Sequence, residues 1–419
     1  MKKIFFIYTF FILFSFASQA QLTIDECHTR AKENYPQIRQ YELIERSKEY
    51  TLSNVIKGYL PQFQVNARAT YQSEVTSIPV SIPNIDIPEI PKTQYQLYTE
   101  VSQILWDGGV ISSQKKIIAA NAEVEKQQLE VDLYAVEARI NQLFFGILLL
   151  DTQLEQNKIL QDELIRNHSK IVSYIENGIA NQADLDVVKV EQINTKQISL
   201  QLQSTRQAYV DMLLYMIGGK LDTDIKLVKP DINNQPFSFS INRPELQWFE
   251  SQNNIFNLQK KSLKTAYMPK FNLFMQGGVG RPALNMFSRN LDAYYIGGIR
   301  LSWNFGALYT RKNDLQKIDV NKHLLDIKRE TFMYNLQLEI TRENQDIKRL
   351  KEQMQYDDEI IALRKNIKHA SEAKFANGTI TISDLMTELT RENIAQQTKA
   401  SHEIELMIAI YNLKYTTND

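Results

Sequence analysis

Four segments of the chain alternate apolar and polar residues with a period of two. They begin at Phe63, Tyr95, Phe271 and Tyr295. In the first, the odd positions from 63 to 71 carry Phe, Val, Ala, Ala and Tyr, whereas the even positions between them carry Gln, Asn, Arg and Thr. Such alternation predicts β-strands with one apolar and one polar face, as in a soluble sandwich or a membrane barrel. The predicted polar faces include Gln64, Arg68, Glu100, Arg300 and Ser302.

Two long stretches contain no proline, from Lys92 to Lys229 and from Ala283 to the end of the sequence. Glycine is also rare there, and Ala, Leu, Ile, Glu, Lys and Gln dominate, which favours helix. The composition predicts two helices of about 70 residues, roughly 100 Å each, which is the length of coiled-coil rods. The apolar run at 143–150 is too short to span a bilayer as a helix, so we interpret it as core packing.

The same break interrupts both long stretches. Asn177-Gly178 and Asn377-Gly378 are each followed, six residues after the glycine, by Asp-Leu, and the two copies lie 200 residues apart. Upstream, "NYPQI" precedes "YLPQF" and "NRPEL" precedes "YMPKF", with prolines 25 residues apart in both pairs. "LWDGG" later corresponds to "SWNFG". Residues 21–229 and 230–419 therefore read as two repeats, each with a helix, a strand pair, a long helix, a break and a returning helix.

The first 20 residues resemble a secretory signal peptide. They contain two lysines, an apolar run over residues 4–16 and a small-x-small cleavage site at residues 18–20, so we expect Gln21 to begin the mature chain. The net charge of the 419 residues is −1, which gives no indication of nucleic-acid binding. Cys27 is the only cysteine, so no intrachain disulfide can form, and packing or assembly must hold the protein together.

The sequence contains no convincing motif for catalysis, a cofactor or a metal. The five histidines are scattered, without the His-x-x-x-His or Cys-x-x-Cys spacing of metal sites. The "GGVG" at 277–280 lies in a predicted strand and lacks the lysine of a phosphate-binding loop. Glu330, Glu339 and Glu343 recur among lysines on a predicted helix, where a solvated face is the ordinary interpretation. We therefore expect no enzyme activity, no cofactor and no bound metal.

Four strands cannot close a membrane barrel. Transmembrane barrels contain at least about eight strands. An open sheet edge cannot face lipid, because its backbone groups would lack hydrogen-bond partners. If the predicted strands cross a membrane, several chains must share one barrel.

The signal peptide, the paired proline motifs, "LWDGG" and the two "NG…DL" breaks together resemble the outer-membrane efflux protein family typified by TolC. The resemblance covers essentially the whole mature chain. It implies a mainly α fold in which long antiparallel coiled-coil helices form a periplasmic tunnel and four strands per chain contribute to a trimeric 12-stranded outer-membrane barrel. It also implies a homotrimer that serves as the exit duct of a tripartite efflux or type I secretion system. The implied partners are a periplasmic adaptor (membrane fusion protein), an inner-membrane pump of RND or ABC type and outer-membrane lipid.

The resemblance also implies roles for particular residues. The polar strand faces named above would line the barrel lumen. The glycines at the breaks would end the long helices in the left-handed conformation, which carries no Cβ penalty for glycine. In the family these helix tips dock to the adaptor, and the corresponding residues here are Asn177, Gly178, Ile179, Asn377, Gly378 and Thr379.

Acidic residues just after the second tip ring the periplasmic gate in the family, and Asp384 occupies that place. Where a well-studied member has a further Asp one turn later, this chain has Thr387. A second interpretation needs no gate, because Thr381 with Asp384, and likewise Asn181 with Asp184, match a helix-start capping pattern.

Two other classes of protein remain as alternatives to a duct. A periplasmic coiled-coil adaptor would bind partners without a pore of its own, but such adaptors usually have one helical hairpin flanked by Gly-rich β modules. An enzyme on a helical scaffold lacks a supporting site. The sequence does not identify the exported substrate, the pump family or the resting state of the gate.

Overall fold

The computed structural model describes residues 21–76, 90–220, 225–231 and 240–418. The predicted signal peptide and most of the loop between the first two strands lie outside the described residues.

Among the described residues, the elements of the first series recur in the same order in the second, except that two α-helices precede the long strands in the first series and one does so in the second. The first series comprises β1 (Gln21–Leu22), α1 (Ile24–Asn34), α2 (Gln40–Ile56), β2 (Gln62–Tyr71), β3 (Thr93–Trp106), α3 (Val110–Glu176) and α4 (Gln182–Met216). The second comprises β4 (Lys226–Leu227), α5 (Pro244–Ser262), β5 (Lys270–Arg281), β6 (Asp292–Ser302), α6 (Ala307–Ala376) and α7 (Ile382–Thr417). The long helices α3 and α6 contain 67 and 70 residues, which confirms the length predicted from the missing prolines.

The four long strands form one antiparallel sheet in the order β2-β3-β5-β6. The two predicted strand pairs are therefore confirmed, and β3 and β5 join them. A register shift between Ile104 and Trp106 marks the end of the β3–β5 pairing. Among the described residues, β2 and β6 each pair with a neighbour on one side only, so both are edge strands.

The chain divides into two compact units. The helical unit comprises the described residues of Met1–Ile38, Asp132–Arg243 and Tyr334–Asp419, and the sheet unit comprises those of Arg39–Val131 and Pro244–Met333. The helical unit has one core built around Phe144, Phe145 and Ile147, whose side chains are at most 1% exposed, and a second core near the helix breaks. The apolar run at 143–150 is thus core packing, as predicted. By length and composition an 18-residue stretch of α3 could cross a membrane, and 61% of that stretch is buried.

Glu343 corrects one expectation. Glu330 and Glu339 are exposed as predicted, but Glu343 is only 7% exposed. It lies against the end of α7, where the Thr416 hydroxyl donates a hydrogen bond of 3.0 Å to Glu343 Oε1. Burial raises the pKa of the Glu343 carboxyl above its ordinary value. The prediction of a solvated face was wrong because a glutamate that faces a neighbouring helix has the same local sequence pattern as one that faces water.

Candidate functional site

The predicted polar-face residues share one face of the sheet. Gln64 pairs with Glu100, which pairs with Gln276 on β5. On β6, the other neighbouring strand of β5, Arg300 pairs with Asn272 of β5. Antiparallel partners point to the same face, and so do residues an even number of positions apart on one strand. All five predicted residues therefore lie on one side: Gln64, Arg68, Glu100, Arg300 and Ser302.

Contacts across the strands hold the charged groups of this face. Arg300 Nη1 lies 3.3 Å from Glu100 Oε1, and the Arg300 guanidinium lies over the Phe274 ring at 4.5 Å from its centroid. Arg68 Nη2 donates a hydrogen bond of 2.9 Å to Gln96 Oε1. The face also carries apolar side chains such as Phe274 and Ile296, but its amides and paired charges suit contact with water.

The opposite face of the sheet is apolar and uncovered. Val65 is 71% exposed, Met275 59% and Ile299 66%. Soluble monomers rarely leave an apolar patch of this extent in water. An apolar face of this extent needs either lipid or a protein partner to cover it. The exposed large apolar residues of this face are Phe63, Val65, Tyr71, Tyr95, Leu97, Phe271, Leu273, Met275, Tyr295, Ile299 and Leu301.

The first helix break has the geometry of a Schellman motif. Gly178 follows the end of α3 with φ +72°. Ile179 N donates to the Tyr174 carbonyl at 2.8 Å, and Gly178 N donates to the Ile175 carbonyl at 3.0 Å. These bonds satisfy the last carbonyls of the helix.

The second break repeats this geometry at the end of α6. Gly378 has φ +68°, Thr379 N donates to the Lys374 carbonyl at 3.0 Å, and Gly378 N donates to the Phe375 carbonyl at 2.9 Å. A Cβ on either glycine would meet no atom within 4 Å, so the positive φ, rather than crowding, is what favours glycine. The prediction of left-handed glycines at both breaks is confirmed.

Both returning helices begin with a capping box. The Asp384 carboxylate accepts hydrogen bonds from Thr381 N at 3.0 Å and Thr381 Oγ1 at 2.7 Å. The side-chain bond from Thr381, reinforced by the backbone bond, lowers the pKa of Asp384. Asn181 and Asp184 make the equivalent box at the start of α4. Both predicted capping boxes are confirmed, and the role of Asp384 in a gate stays a prediction. Both hydrogen bonds to the Asp384 carboxylate end on Oδ2. Within the described part of the chain no group donates to Oδ1, so that oxygen is free to bind another ligand.

A buried ionic cluster that sequence reasoning missed lies on the segment of α6 that leads to the second tip. Lys368 is only 8% exposed, and its Nζ lies 2.8 Å from Glu163 Oε1 on α3 and 2.5 Å from Glu392 Oε2 on α7. Glu392 is 4% exposed and also accepts a hydrogen bond from Gln396. One lysine therefore ties three helices together. Comparison at the 200-residue offset of the breaks would have shown an asymmetry, because His168 occupies the corresponding place in the first repeat.

Within the described part of the chain, no three Asp, Glu, His or Cys side chains lie close enough together to hold a metal ion.

Comparison with solved structures identifies the fold. The protein superposes on the transmembrane channel CusC with a TM-score of 0.70 at 13% identity, covering 95% of this chain and 92% of CusC. It matches the outer-membrane channel CmeC of Campylobacter jejuni with a TM-score of 0.64 at 12% identity, over 94% of this chain and 85% of CmeC. The corresponding values for the open state of the MtrE outer-membrane channel of Neisseria gonorrhoeae are 0.65, 12%, 94% and 88%.

No protein-family model matches the sequence, and no curated protein matches it. At these identities the likeness establishes the fold: the chain is mostly helical, with one antiparallel sheet, and folds as outer-membrane channels do. The mainly α fold with four long antiparallel strands, which the TolC-like resemblance implies, is confirmed, whereas the shared trimeric barrel stays a prediction.

Proposed function

We propose that this protein is an outer-membrane exit duct that conducts substrates passively from the periplasm, or from an inner-membrane pump, to the exterior. The observation that carries the proposal is the sheet, which has one uncovered apolar face, one polar face and two open edges. Lipid would cover the apolar face, and the polar face would line a water-filled lumen. No bond chemistry is required, because the energy for transport would come from the pump.

The open edges support a homotrimer. Four strands per chain and three chains give twelve strands, an even number above the minimum of about eight for a membrane barrel. In that barrel the free edge of β2 in one protomer would pair with the free edge of β6 in the next, so no edge would be left exposed to lipid.

The helix tips supply the proposed docking surface. Asn177, Gly178 and Ile179 would meet a periplasmic adaptor at the first tip, and Asn377, Gly378 and Thr379 would meet it at the second. Ile179 is 53% exposed, so an apolar side chain is available there for a partner. Outer-membrane localisation, the tunnel into the periplasm and service to an efflux or secretion pump belong to the same proposal.

The most direct test is assembly with conduction. We expect the purified protein to migrate as a trimer before heating and as a monomer after heating, and the trimer to open steady pores in planar bilayers. A folded monomer that stays inserted in liposomes would contradict the barrel argument, because four strands leave two edges in lipid. A soluble protein without conductance would favour the adaptor alternative.

The proposed gate makes a separate prediction. Three Asp384 carboxylates near the trimer axis would attract multivalent cations through their open Oδ1 atoms. We therefore expect Asp384→Asn to weaken block by multivalent cations and to reduce cation preference in bilayer recordings. Asp184→Asn is the matched control, because it alters an equivalent capping box without a ring. Unchanged block and selectivity in Asp384→Asn would leave that residue with a capping role alone.

A further inference from the structure

A groove lies in the helical unit beside the end of α4. It has a volume of about 850 Å³. Tyr215 and Met212 on its wall are 79% and 54% exposed, and the Asn34 side chain lies at its margin, donating to the carbonyls of Tyr215 and Met216 at 3.2 and 3.1 Å. Aromatic and thioether groups left in water at a concave surface mark a place where another molecule packs. The residues that line the groove are Asn34, Tyr35, Pro36, Arg139, Asp211, Met212, Tyr215 and Met216.

The second repeat shows what fills the corresponding place. At the 200-residue offset, Tyr215 corresponds to Tyr415 near the end of α7. There, Tyr134 of α3 stacks on Tyr415, with ring centroids 4.7 Å apart and an interplanar angle of 7°. Tyr134 Oη also donates a hydrogen bond of 2.5 Å to the Tyr415 carbonyl. Arg243 lies over both rings, at 4.7 and 5.1 Å from their centroids.

The residue that corresponds to Tyr134 is also a tyrosine, Tyr334 on α6. Tyr134 is 8% exposed, whereas Tyr334 is 67% exposed. The motif pair "NYPQI" and "NRPEL" places Tyr35 where the second repeat has Arg243, so an aromatic ring replaces the guanidinium beside the stack. Tyr134 of the first repeat thus completes an aromatic stack on Tyr415 of the second. The groove beside Tyr215 in the first repeat stays open, and the second repeat carries on α6 the exposed ring that corresponds to Tyr134.

From this match we propose that Tyr334 of one protomer inserts into the groove of its neighbour and stacks on Tyr215, so that each interface of the oligomer repeats the Tyr134–Tyr415 contact. The inference rests on the proposed homotrimer and identifies the occupant of the groove as a second copy of this chain. In the neighbour's groove the Tyr334 hydroxyl would donate to the Tyr215 carbonyl, and Tyr35 would cover the stacked rings.

A second set of contacts, within the sheet unit, follows the same logic. Ile255 of α5 packs against Ala120 and Val124 of α3, which are at most 9% exposed. The corresponding residues of α6, Val320 and Leu324, are 56% and 53% exposed. Helix α2, which corresponds to α5, would cover them from a neighbouring protomer. At both places, therefore, side chains of α6 are exposed where the corresponding side chains of α3 are buried.

Photocross-linking of the full-length protein tests the proposal. We expect a benzophenone amino acid in place of Tyr334 to link two chains, with mass spectrometry locating the adduct among residues 34–36 and 211–216. The same probe in place of Glu339, an exposed residue of α6 on another side of the helix, is the control and should not reach those residues.

A double-mutant cycle provides the second measurement. We expect Tyr215→Ala and Tyr334→Ala each to speed dissociation of the detergent-solubilised trimer by about tenfold, with little further change in the double variant, because the two rings form one contact. Adducts from position 334 outside the groove, or independent effects in the cycle, would overturn the inference. If those results are found with a trimer that still conducts, only the Tyr334–Tyr215 contact is contradicted and the proposed function stands. If no trimer forms, both proposals fail.

Discussion

Replacing Lys368 with Met should be among the most destabilising single changes in the helical unit. The substitution leaves Glu163 and Glu392 facing one another without the buried cation that now lies 2.8 and 2.5 Å from them. Removing one partner of a buried ionic cluster costs about 3–5 kcal/mol, and here the carboxylate of Glu392, which is 4% exposed, would lose its buried counter-ion. We expect a decrease of that size in the free energy of unfolding per protomer, measured by denaturant titration followed by circular dichroism.

Two further variants separate this effect from the loss of any lysine. Lys365→Met alters an exposed lysine on the same helix and should change the free energy of unfolding by no more than about 0.5 kcal/mol. Combining Lys368→Met with Glu163→Gln and Glu392→Gln removes all three charges together and should recover most of the lost stability. If Lys368→Met is as stable as Lys365→Met, the three-helix tie contributes nothing.

The tie also has a defined pH dependence. Burial disfavours the ammonium, but hydrogen bonds to Glu163 and Glu392 outweigh burial and raise the pKa of Lys368. A raised lysine pKa stabilises the fold fully below the unfolded value of about 10.4 and loses that contribution as the pH rises through the folded value. The difference between wild type and Lys368→Met should therefore be constant through neutral pH and shrink in strong alkali.

Local patterns were sufficient for the long helices, the breaks between them and the four long strands with their faces. A stretch without proline that is poor in glycine has few ways to end a helix, so the lengths of α3 and α6 followed from composition. Asn-Gly supplied the one residue that tolerates the φ of +72° and +68° found at the two breaks. Alternation fixed the strand faces because the pleat has a period of two.

Long-range relations were not accessible in the same way. The pairing of Glu100 with Gln276 joins residues 176 positions apart, and neither strand carries a local signal for its partner. Lys368 and Glu343 sit on helices rich in lysine and glutamate, so burial depends on which neighbouring helix each faces. The two-residue strands β1 and β4 are too short to produce a periodic pattern.

The sheet supplies the second large effect, through two adjacent residues on opposite faces. Met275 lies midway along β5, on the apolar face, and pairs with Val101 and Gly297. Gln276 pairs with Glu100 and Ile296 on the polar face. If lipid covers the apolar face, Met275→Arg places a charge near the bilayer midplane and should cost about 2–4 kcal/mol per protomer. We expect Met275→Arg to abolish or greatly reduce the heat-modifiable trimer in outer-membrane fractions.

Gln276→Arg is the matched control, because the same side chain then enters the lumen. It should assemble normally and shift the reversal potential of the pore toward anions. A third variant, Leu301→Arg, tests how the cost depends on depth in the membrane. Leu301 is on the apolar face but only one residue from the end of β6. The cost of Leu301→Arg should therefore fall to about 0–1 kcal/mol, as expected near the membrane interface. Equal assembly defects in Met275→Arg and Gln276→Arg would contradict the assignment of faces. Equal defects in Met275→Arg and Leu301→Arg would contradict the position of the bilayer, because a buried protein contact, unlike lipid, has no reason to weaken toward the strand end.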